Sequence, residues 1–113
     1  MSNDLAARAC TACRKDTPKL DAAAIQDLSS QLADWSLRDN DTRIERAYAF
    51  DDFASAFAFV SRVAAIAEDA DHHPDIAFGW GYARLSFSTH SIGGLHENDF
   101  ILAARCDRMV SER

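Results

Sequence analysis

Histidines at two places in this sequence are the side chains best suited to chemistry. His72 and His73 stand together before Pro74 in a stretch rich in carboxylates, and His90 follows Thr89 further along the chain. Imidazole exchanges protons near neutral pH and is also a common metal ligand. We therefore interpret the two stretches as parts of one site, built for proton transfer or for a metal, and the rest of the chain as their scaffold.

Pro74 restricts the geometry of the histidine pair. Proline disfavours the helical conformation of the residue before it, so a helix must end ahead of His73, which we expect to be extended. Adjacent side chains of an extended segment point to opposite sides. His72 and His73 can serve one site only if the backbone bends there or if the ligand lies between them.

A metal site is the first interpretation to weigh. Three imidazoles can hold a catalytic zinc with water in the fourth position. The usual helical HExxH spacing is absent from this chain. His72, His73 and His90 would need unusual backbone geometry to share one ion, so we expect no metal.

Proton transfer fits the residue types better. Two imidazoles on opposite sides of a flat ligand supply one acid and one base, and nearby carboxylates can orient the rings. Those carboxylates are Glu68, Asp71, Asp75 and Asp99. Trp35 and Trp80 could stack on a planar ring, although core packing explains both tryptophans equally well. Asp99 could equally serve the backbone amides of a helix start.

Hydrophobic periodicity predicts the elements that position these residues. The first predicted helix is capped by Asp21 and closes at 31–33, and it is followed by strands at 35–37 and 43–50 that a turn at 39–41 joins. A second helix, capped by Asp51 or Asp52, includes Glu68. Strands at 76–80 and 83–90 and a last helix over 97–109 complete the predicted order. With short links, this order gives an α+β fold, α-β-β-α-β-β-α, in which three helices cover one face of a four-stranded antiparallel sheet.

The second helix carries an apolar stripe with steps of three and four residues, which is typical of a core-facing helix side. The stripe consists of Phe53, Phe57, Val60, Ala64 and Ala67. In the last predicted strand, Leu85 and Phe87 share one face, which leaves His90 on the polar face at the strand end.

Composition excludes several classes of protein. The chain has 113 residues, 48% of them hydrophobic, which predicts one domain with a modest core. Its net charge of -6 argues against direct binding to nucleic acid, which needs a basic surface. No apolar run approaches the roughly 20 residues that span a bilayer. The N-terminus is unlike a secretory signal, so we expect no membrane contact and a cytoplasmic location.

Residues 1–19 lack periodicity, and we expect them to form a flexible leader before a single domain at 20–113. The leader contains Cys10-x-x-Cys13, which is half of a typical zinc site. We expect it to be non-catalytic, while a zinc shared with another chain and a regulatory disulfide stay open. Cys106 is expected to be a small core residue.

Motifs across most of the chain, from about Leu20 onward, resemble the pterin-4a-carbinolamine dehydratase family. They are Glu68-x-x-x-His72-His73-Pro74, the aromatic Trp80, Ser88-Thr89-His90, Gly94-Leu95 and Asp99-x-x-Leu102-Ala103, together with Trp35 after the first helix. Cys10-x-x-Cys13-Arg14 also resembles leaders of bacterial members. The family's fold has the element order predicted above, which makes the resemblance consistent with the periodicity.

The resemblance implies a specific reaction. Such enzymes remove water from the 4a-hydroxytetrahydropterin produced by aromatic amino acid hydroxylases, giving quinonoid dihydropterin, without a metal or organic cofactor. It implies His72 and His90 as general acid and base, His73 as the residue that holds the substrate, and supporting places for Trp35, Trp80 and Asp99. It also implies a homodimer or homotetramer.

Two residues depart from the family pattern. Ser91 stands where an acid often follows the histidine, and His96 stands where a serine or threonine commonly caps the last helix. The alternative function is a binding or dimerisation partner of a hydroxylase or a transcription factor, with little catalytic role.

Overall fold

A computed structural model of the protein describes residues 4–11 and 17–111. Its regular elements are α1 (Asp4–Ala7), α2 (Ala22–Ser29), β1 (Ser36–Arg38), β2 (Arg43–Ala49), α3 (Phe53–Ala70), β3 (Asp75–Gly79), β4 (Tyr82–Phe87) and α4 (Glu97–Ser111). A single 3-10 turn, His90–Ile92, separates β4 from α4. The α+β class and the predicted order of the main elements are confirmed.

The sheet is fully antiparallel, with the strand order β1-β2-β4-β3. Because side chains alternate across a strand, Ile44 and Tyr48 of β2 face the helices beside Leu85 and Phe87 of β4, and all four are buried. The opposite face is polar. There Glu45 makes ion pairs with arginines of three strands, which are Arg38, Arg43 and Arg84.

Capping residues start the helices as the sequence indicates. Asp21 accepts a hydrogen bond from the backbone N–H of Ala24 at 2.9 Å, and Asp52 accepts one from Ser55 at 2.8 Å. The predicted turn at 39–41 joins β1 to β2, and all three of its residues have positive φ, between 52° and 62°. Asp and Asn tolerate this left-handed conformation better than most residues do.

The apolar stripe predicted for α3 is confirmed in part: Ala67 is buried and Val60 is half-buried against the core, but Phe53, Phe57 and Ala64 are exposed. Phe53 and Phe57 are 49% and 54% exposed, and the buried side chains are Ala56, Phe59, Val63 and Ala67. Phe59 packs against Tyr48 and Phe50, with ring centroids 4.7 and 5.2 Å apart. The helix is rich in alanine and phenylalanine on more than one side, so periodicity alone could not tell which side meets the sheet.

The leader contains a helix that the sequence did not predict. Leu5 of α1 is 2% exposed and belongs to the main core. Arg105 of α4 donates hydrogen bonds to the carbonyls of Ala6 and Arg8. The sequence did not reveal this helix because four residues are too few to show periodicity, and because Arg105, which binds it, lies nearly a hundred positions away in the chain. The proposed boundary between leader and domain stays a prediction.

Asp107 of α4 is a partly exposed acceptor at the margin of the core, near the β1–β2 hairpin. Its carboxylate accepts hydrogen bonds from the indole N–H of Trp35, the hydroxyl of Tyr48 and the guanidinium of Arg46. The Arg46 guanidinium also lies 4.2 Å from the centroid of the Tyr48 ring. Burial beside this carboxylate raises the pKa of Tyr48 far above its usual value. Arg46 can therefore face the helices, among apolar side chains, because its guanidinium pairs with the carboxylate of Asp107.

Replacing Asp107 with alanine is expected to lower the free energy of unfolding by about 2–4 kcal/mol, because three polar groups lose their acceptor. Urea denaturation would measure the change. The matched control is Asp34→Ala, which removes the exposed second carboxylate of Arg46, and an exposed ion pair contributes about 1 kcal/mol or less. Equal losses for both variants would contradict the central role of Asp107.

Candidate active site

One buried carboxylate connects the two histidine stretches. Asp99, fully buried in the first turn of α4, lies with Oδ1 2.6 Å from Nε2 of His72. Its Oδ2 accepts hydrogen bonds from the hydroxyl of Thr89 at 2.7 Å and from the backbone N–H of His96 at 3.0 Å. Because a carboxylate accepts hydrogen bonds, Nε2 of His72 carries the proton in this contact. The ring therefore has a fixed orientation and a fixed tautomer.

His72 reaches Asp99 because α3 ends in a left-handed turn. Asp71 has φ 52° and ψ 44°, and the N–H of His72 donates to the carbonyl of Ala67 at 3.0 Å. A left-handed residue at this position closes many helices, although glycine is the usual choice. The turn directs His72 inward, where 9% of the residue is exposed.

His73 points the other way, as expected for the extended residue before Pro74. Its side chain is 55% exposed, and its Nε2 lies 2.7 Å from Oε1 of Glu68 in the last turn of α3. His72 and His73 therefore contact different carboxylates in different environments.

His90 lies in a tight turn and not in a strand. Strand β4 ends at Phe87, so the prediction that it extends to His90 is wrong. The backbone N–H of Thr89 donates a hydrogen bond to the carbonyl of Gly94 at 2.9 Å, which closes a loop over residues 89–94. Gly93 adopts the positive φ of 66° that this loop requires. The ring of His90 is exposed and makes no hydrogen bond to any described residue.

Two cavities open beside these histidines. One, of about 350 Å³, is lined by Cys10, Thr11, Asp69, Ala70, Asp71, His72 and Asn98. The other, of about 260 Å³, is lined by Asp39, Thr42, Arg43, Ser88, Thr89, His90, Gly93 and Gly94. His72 and His90 thus line different cavities. Asp99 connects the two places, because it is hydrogen-bonded both to His72 of one cavity and to Thr89 of the other.

Comparison with known proteins identifies the family of this chain. The sequence profile of the Pterin 4 alpha carbinolamine dehydratase family matches residues 18–109. The chain belongs to this family. Relatives in Azoarcus sp. (strain BH72) and Aromatoleum aromaticum, both provisionally named pterin-4-alpha-carbinolamine dehydratase, are 49% and 47% identical to it. The alignments cover 99% and 97% of this chain and 96% and 98% of those proteins.

Two solved structures of similar proteins share the fold. A transcriptional coactivator/pterin dehydratase from Brucella melitensis superposes with a TM-score of 0.76 at 28% identity, over 80% of this chain and 97% of that one. A pterin dehydratase-like protein described as a RuBisCO assembly factor in the alpha-carboxysome superposes with a TM-score of 0.58 at 28% identity, over 66% and 87% of the two chains.

The two tryptophans that the family resemblance places near the pocket do not line the two cavities beside His72 and His90. Trp35 is 8% exposed and packs its ring on Tyr48 and Phe87. Trp80 is 73% exposed and follows the far end of β3, so about five strand residues, or roughly 16 Å, separate it from the end that carries the histidines. Within one chain, Trp80 is therefore distant from the histidines and Trp35 is a core residue, and a pterin-binding role for both stays a prediction.

The departure at His96 is accommodated. Nδ1 of His96 accepts a hydrogen bond from the N–H of Asn98 at 3.0 Å, so the imidazole supplies the helix cap expected of a serine or threonine. His96 therefore has a structural role at the start of α4. Ser91, the other departure, is exposed beside His90.

Metal ligands do not converge in the described part of the chain. Among residues 4–11 and 17–111, no three side chains of His, Cys, Asp or Glu are placed to share an ion. Cys106 is fully buried in the core as expected, and burial raises the pKa of its thiol well above the usual value. Cys13, the second cysteine of the leader motif, lies outside the described residues. Within the same ranges, no helix is long and apolar enough to cross a membrane.

Proposed function

We infer that this member of the dehydratase family removes water from 4a-hydroxytetrahydropterin and forms quinonoid dihydropterin. The observation that carries the inference is the Asp99 carboxylate, which connects His72 to the Thr89–His90 turn. The names of close relatives over nearly the full chain support the same activity. Aromatic amino acid hydroxylases are the enzyme class that produces this substrate.

The reaction asks for two proton transfers and no redox change. The C4a–O bond breaks, and the hydroxyl leaves as water after receiving a proton from a general acid. The lone pair of N5 forms the new C4a=N5 double bond as the water leaves, and N5 gives up its proton to a general base, so that the N–H electron pair stays on N5 as its lone pair. One acid and one base therefore suffice, and imidazoles perform both roles near neutral pH.

We assign these roles to His72 and His90, with His73 holding the substrate, and because the two rings line different cavities this assignment requires one pterin to reach both. The bond from Nε2 to Asp99 leaves Nδ1 of His72 as the nitrogen available for exchange. His90 offers a ring without a described partner on an exposed turn, and His73 is accessible beside Glu68. Which of His72 and His90 is the acid is left to experiment.

A direct assay tests the activity. The carbinolamine is generated in situ by a hydroxylase, and the absorbance of quinonoid dihydropterin is followed with and without the purified protein. We expect a rate proportional to the protein concentration and above the spontaneous dehydration. A rate equal to the spontaneous one at micromolar protein would refute the enzyme assignment.

We also propose that the chain forms a homo-oligomer through its exposed aromatic surface. Phe53 and Phe57 of α3 lie 5.5 and 6.1 Å from the ring of Phe78 in β3, and β3 is an edge strand of the sheet. Contiguous exposed aromatics and an open strand edge are uncommon on monomers. A second copy satisfies both features because a two-fold axis presents the same surface twice.

Phe57→Glu is expected to shift the protein to a smaller species, because a charge in an apolar interface costs several kcal/mol. Sedimentation velocity at several protein concentrations measures the mass. Phe57→Leu keeps an apolar side chain and should retain the wild-type mass. A wild-type protein that sediments as a monomer at the highest concentration would contradict the proposal.

The alternative role as a binding partner draws on the same aromatic surface. Two similar structures are described as a coactivator/dehydratase and as an assembly factor. If Phe57→Glu abolished a stoichiometric complex with a hydroxylase while His90→Ala left the complex intact, binding would stand beside catalysis as a second function. The cytoplasmic location expected from the sequence stays a prediction.

A further inference from the structure

The segment Leu5–Thr11 is fastened along α4. The side chain of Leu5 is buried, and Arg105 donates hydrogen bonds to two backbone carbonyls of the segment. Arg8 forms an ion pair with Glu97 of α4. At its end, Asn98 accepts a hydrogen bond from the N–H of Thr11 at 3.0 Å and donates one to the carbonyl of Thr11 at 2.7 Å. This reciprocal pair fixes the backbone of the segment next to Asp99.

The end of this segment meets the cavity beside His72. Cys10 and Thr11 line it together with the end of α3 and His72. His72 is nearly buried, and one of its ring nitrogens is bound to Asp99. A substrate that exchanges a proton with His72 would approach its ring through this cavity, past Cys10.

We propose that Leu5–Thr11 is a wall of the active site and that Cys10 contacts the bound pterin. The proposal rests on the dehydratase function inferred above and extends the site beyond residues 18–109, the part that matches the family profile. The wall positions the substrate against His72 and limits the space around it. Cys10 is thus a positioning residue that takes no part in proton transfer.

Protection of the thiol by a ligand tests this contact without measuring turnover. In a Cys13→Ser background, Cys10 is the accessible cysteine, because Cys106 is fully buried. Burial raises the pKa of Cys10, so alkylation with N-ethylmaleimide is followed by intact-mass spectrometry at mildly alkaline pH. We expect saturating 7,8-dihydropterin to slow the alkylation at least fivefold, and adenine, another flat heterocycle, to leave it unchanged.

Added bulk gives a second readout that does not depend on thiol reactivity. Cys10→Trp in the same background should raise KM for the carbinolamine at least tenfold with a smaller change in kcat, because it narrows the cavity. Circular dichroism and Tm confirm that the variant folds. The matched comparison is Ala7→Trp, which introduces the same side chain at an exposed position of the same segment that does not line the cavity and should leave KM unchanged.

The outcomes separate this inference from the proposed function. An active dehydratase that shows no ligand protection of Cys10 and an unchanged KM for Cys10→Trp overturns the wall and leaves the activity standing. Absence of dehydration in the Cys13→Ser protein and in the wild type overturns the function itself. Equal KM increases for Cys10→Trp and Ala7→Trp would show a general disturbance of the segment and would also overturn the contact.

Discussion

Replacing His90 with alanine is expected to lower kcat for carbinolamine dehydration by roughly a hundredfold or more, the usual contribution of a general acid or base. The fold should survive, because the imidazole is exposed and makes no hydrogen bond to a described residue. The backbone bridge between Thr89 and Gly94 holds the turn without the ring. Enzyme activity and Tm would therefore respond differently to this single change.

The measurement is kcat against pH for the wild type and for His90→Ala, with Tm measured on the same samples. If His90 donates or accepts a proton in the rate-limiting step, one limb of the pH profile should disappear with the side chain. Ser91→Ala, at the exposed neighbouring position, is the control and should change kcat less than twofold. A His90→Ala enzyme with the wild-type rate and pH profile would remove His90 from the acid–base pair.

Local patterns in the sequence predicted most of the elements. The caps at Asp21 and Asp52, the turn at 39–41 and the alternation of Leu85 and Phe87 are all local features, and the structure contains each of them. The orientation of α3 was not predictable in this way. Phe57 and Phe59 are equally apolar, and only the position of the sheet decides that Phe59 is buried.

The candidate site shows a similar division. Pro74 correctly indicated that His72 and His73 lie where a helix gives way to an extended segment. The sequence did not indicate the left-handed turn at Asp71, because glycine is the residue that usually marks such a turn and aspartate stands in its place. The bonds that Asp99 makes to His72 and Thr89 join residues 27 and 10 positions apart. A contact of this kind follows from the packing of α4 against the sheet, which no local pattern encodes.

Two substitutions of Asp99 should separate its contribution to stability from its contribution to catalysis. Asp99→Ala leaves the N–H of His96, the hydroxyl of Thr89 and the ring of His72 without their acceptor in a buried place. We expect it to lower the free energy of unfolding by about 3–5 kcal/mol, the cost of breaking a buried, charged hydrogen-bond network. Urea denaturation measures this loss.

Asp99→Asn preserves the shape but changes the hydrogen-bond pattern. The amide oxygen can still accept from Thr89 and His96, but its NH₂ group then faces Nε2 of His72 and can only donate to it. His72 must change tautomer or turn away, and we expect kcat to fall roughly a hundredfold with a smaller loss of stability than in Asp99→Ala. Thr89→Val, which removes one donor and leaves the contact between Asp99 and His72, should lose far less activity. If Thr89→Val and Asp99→Asn reduced kcat equally, the carboxylate would act by packing alone, and its control of the His72 tautomer would have to be abandoned.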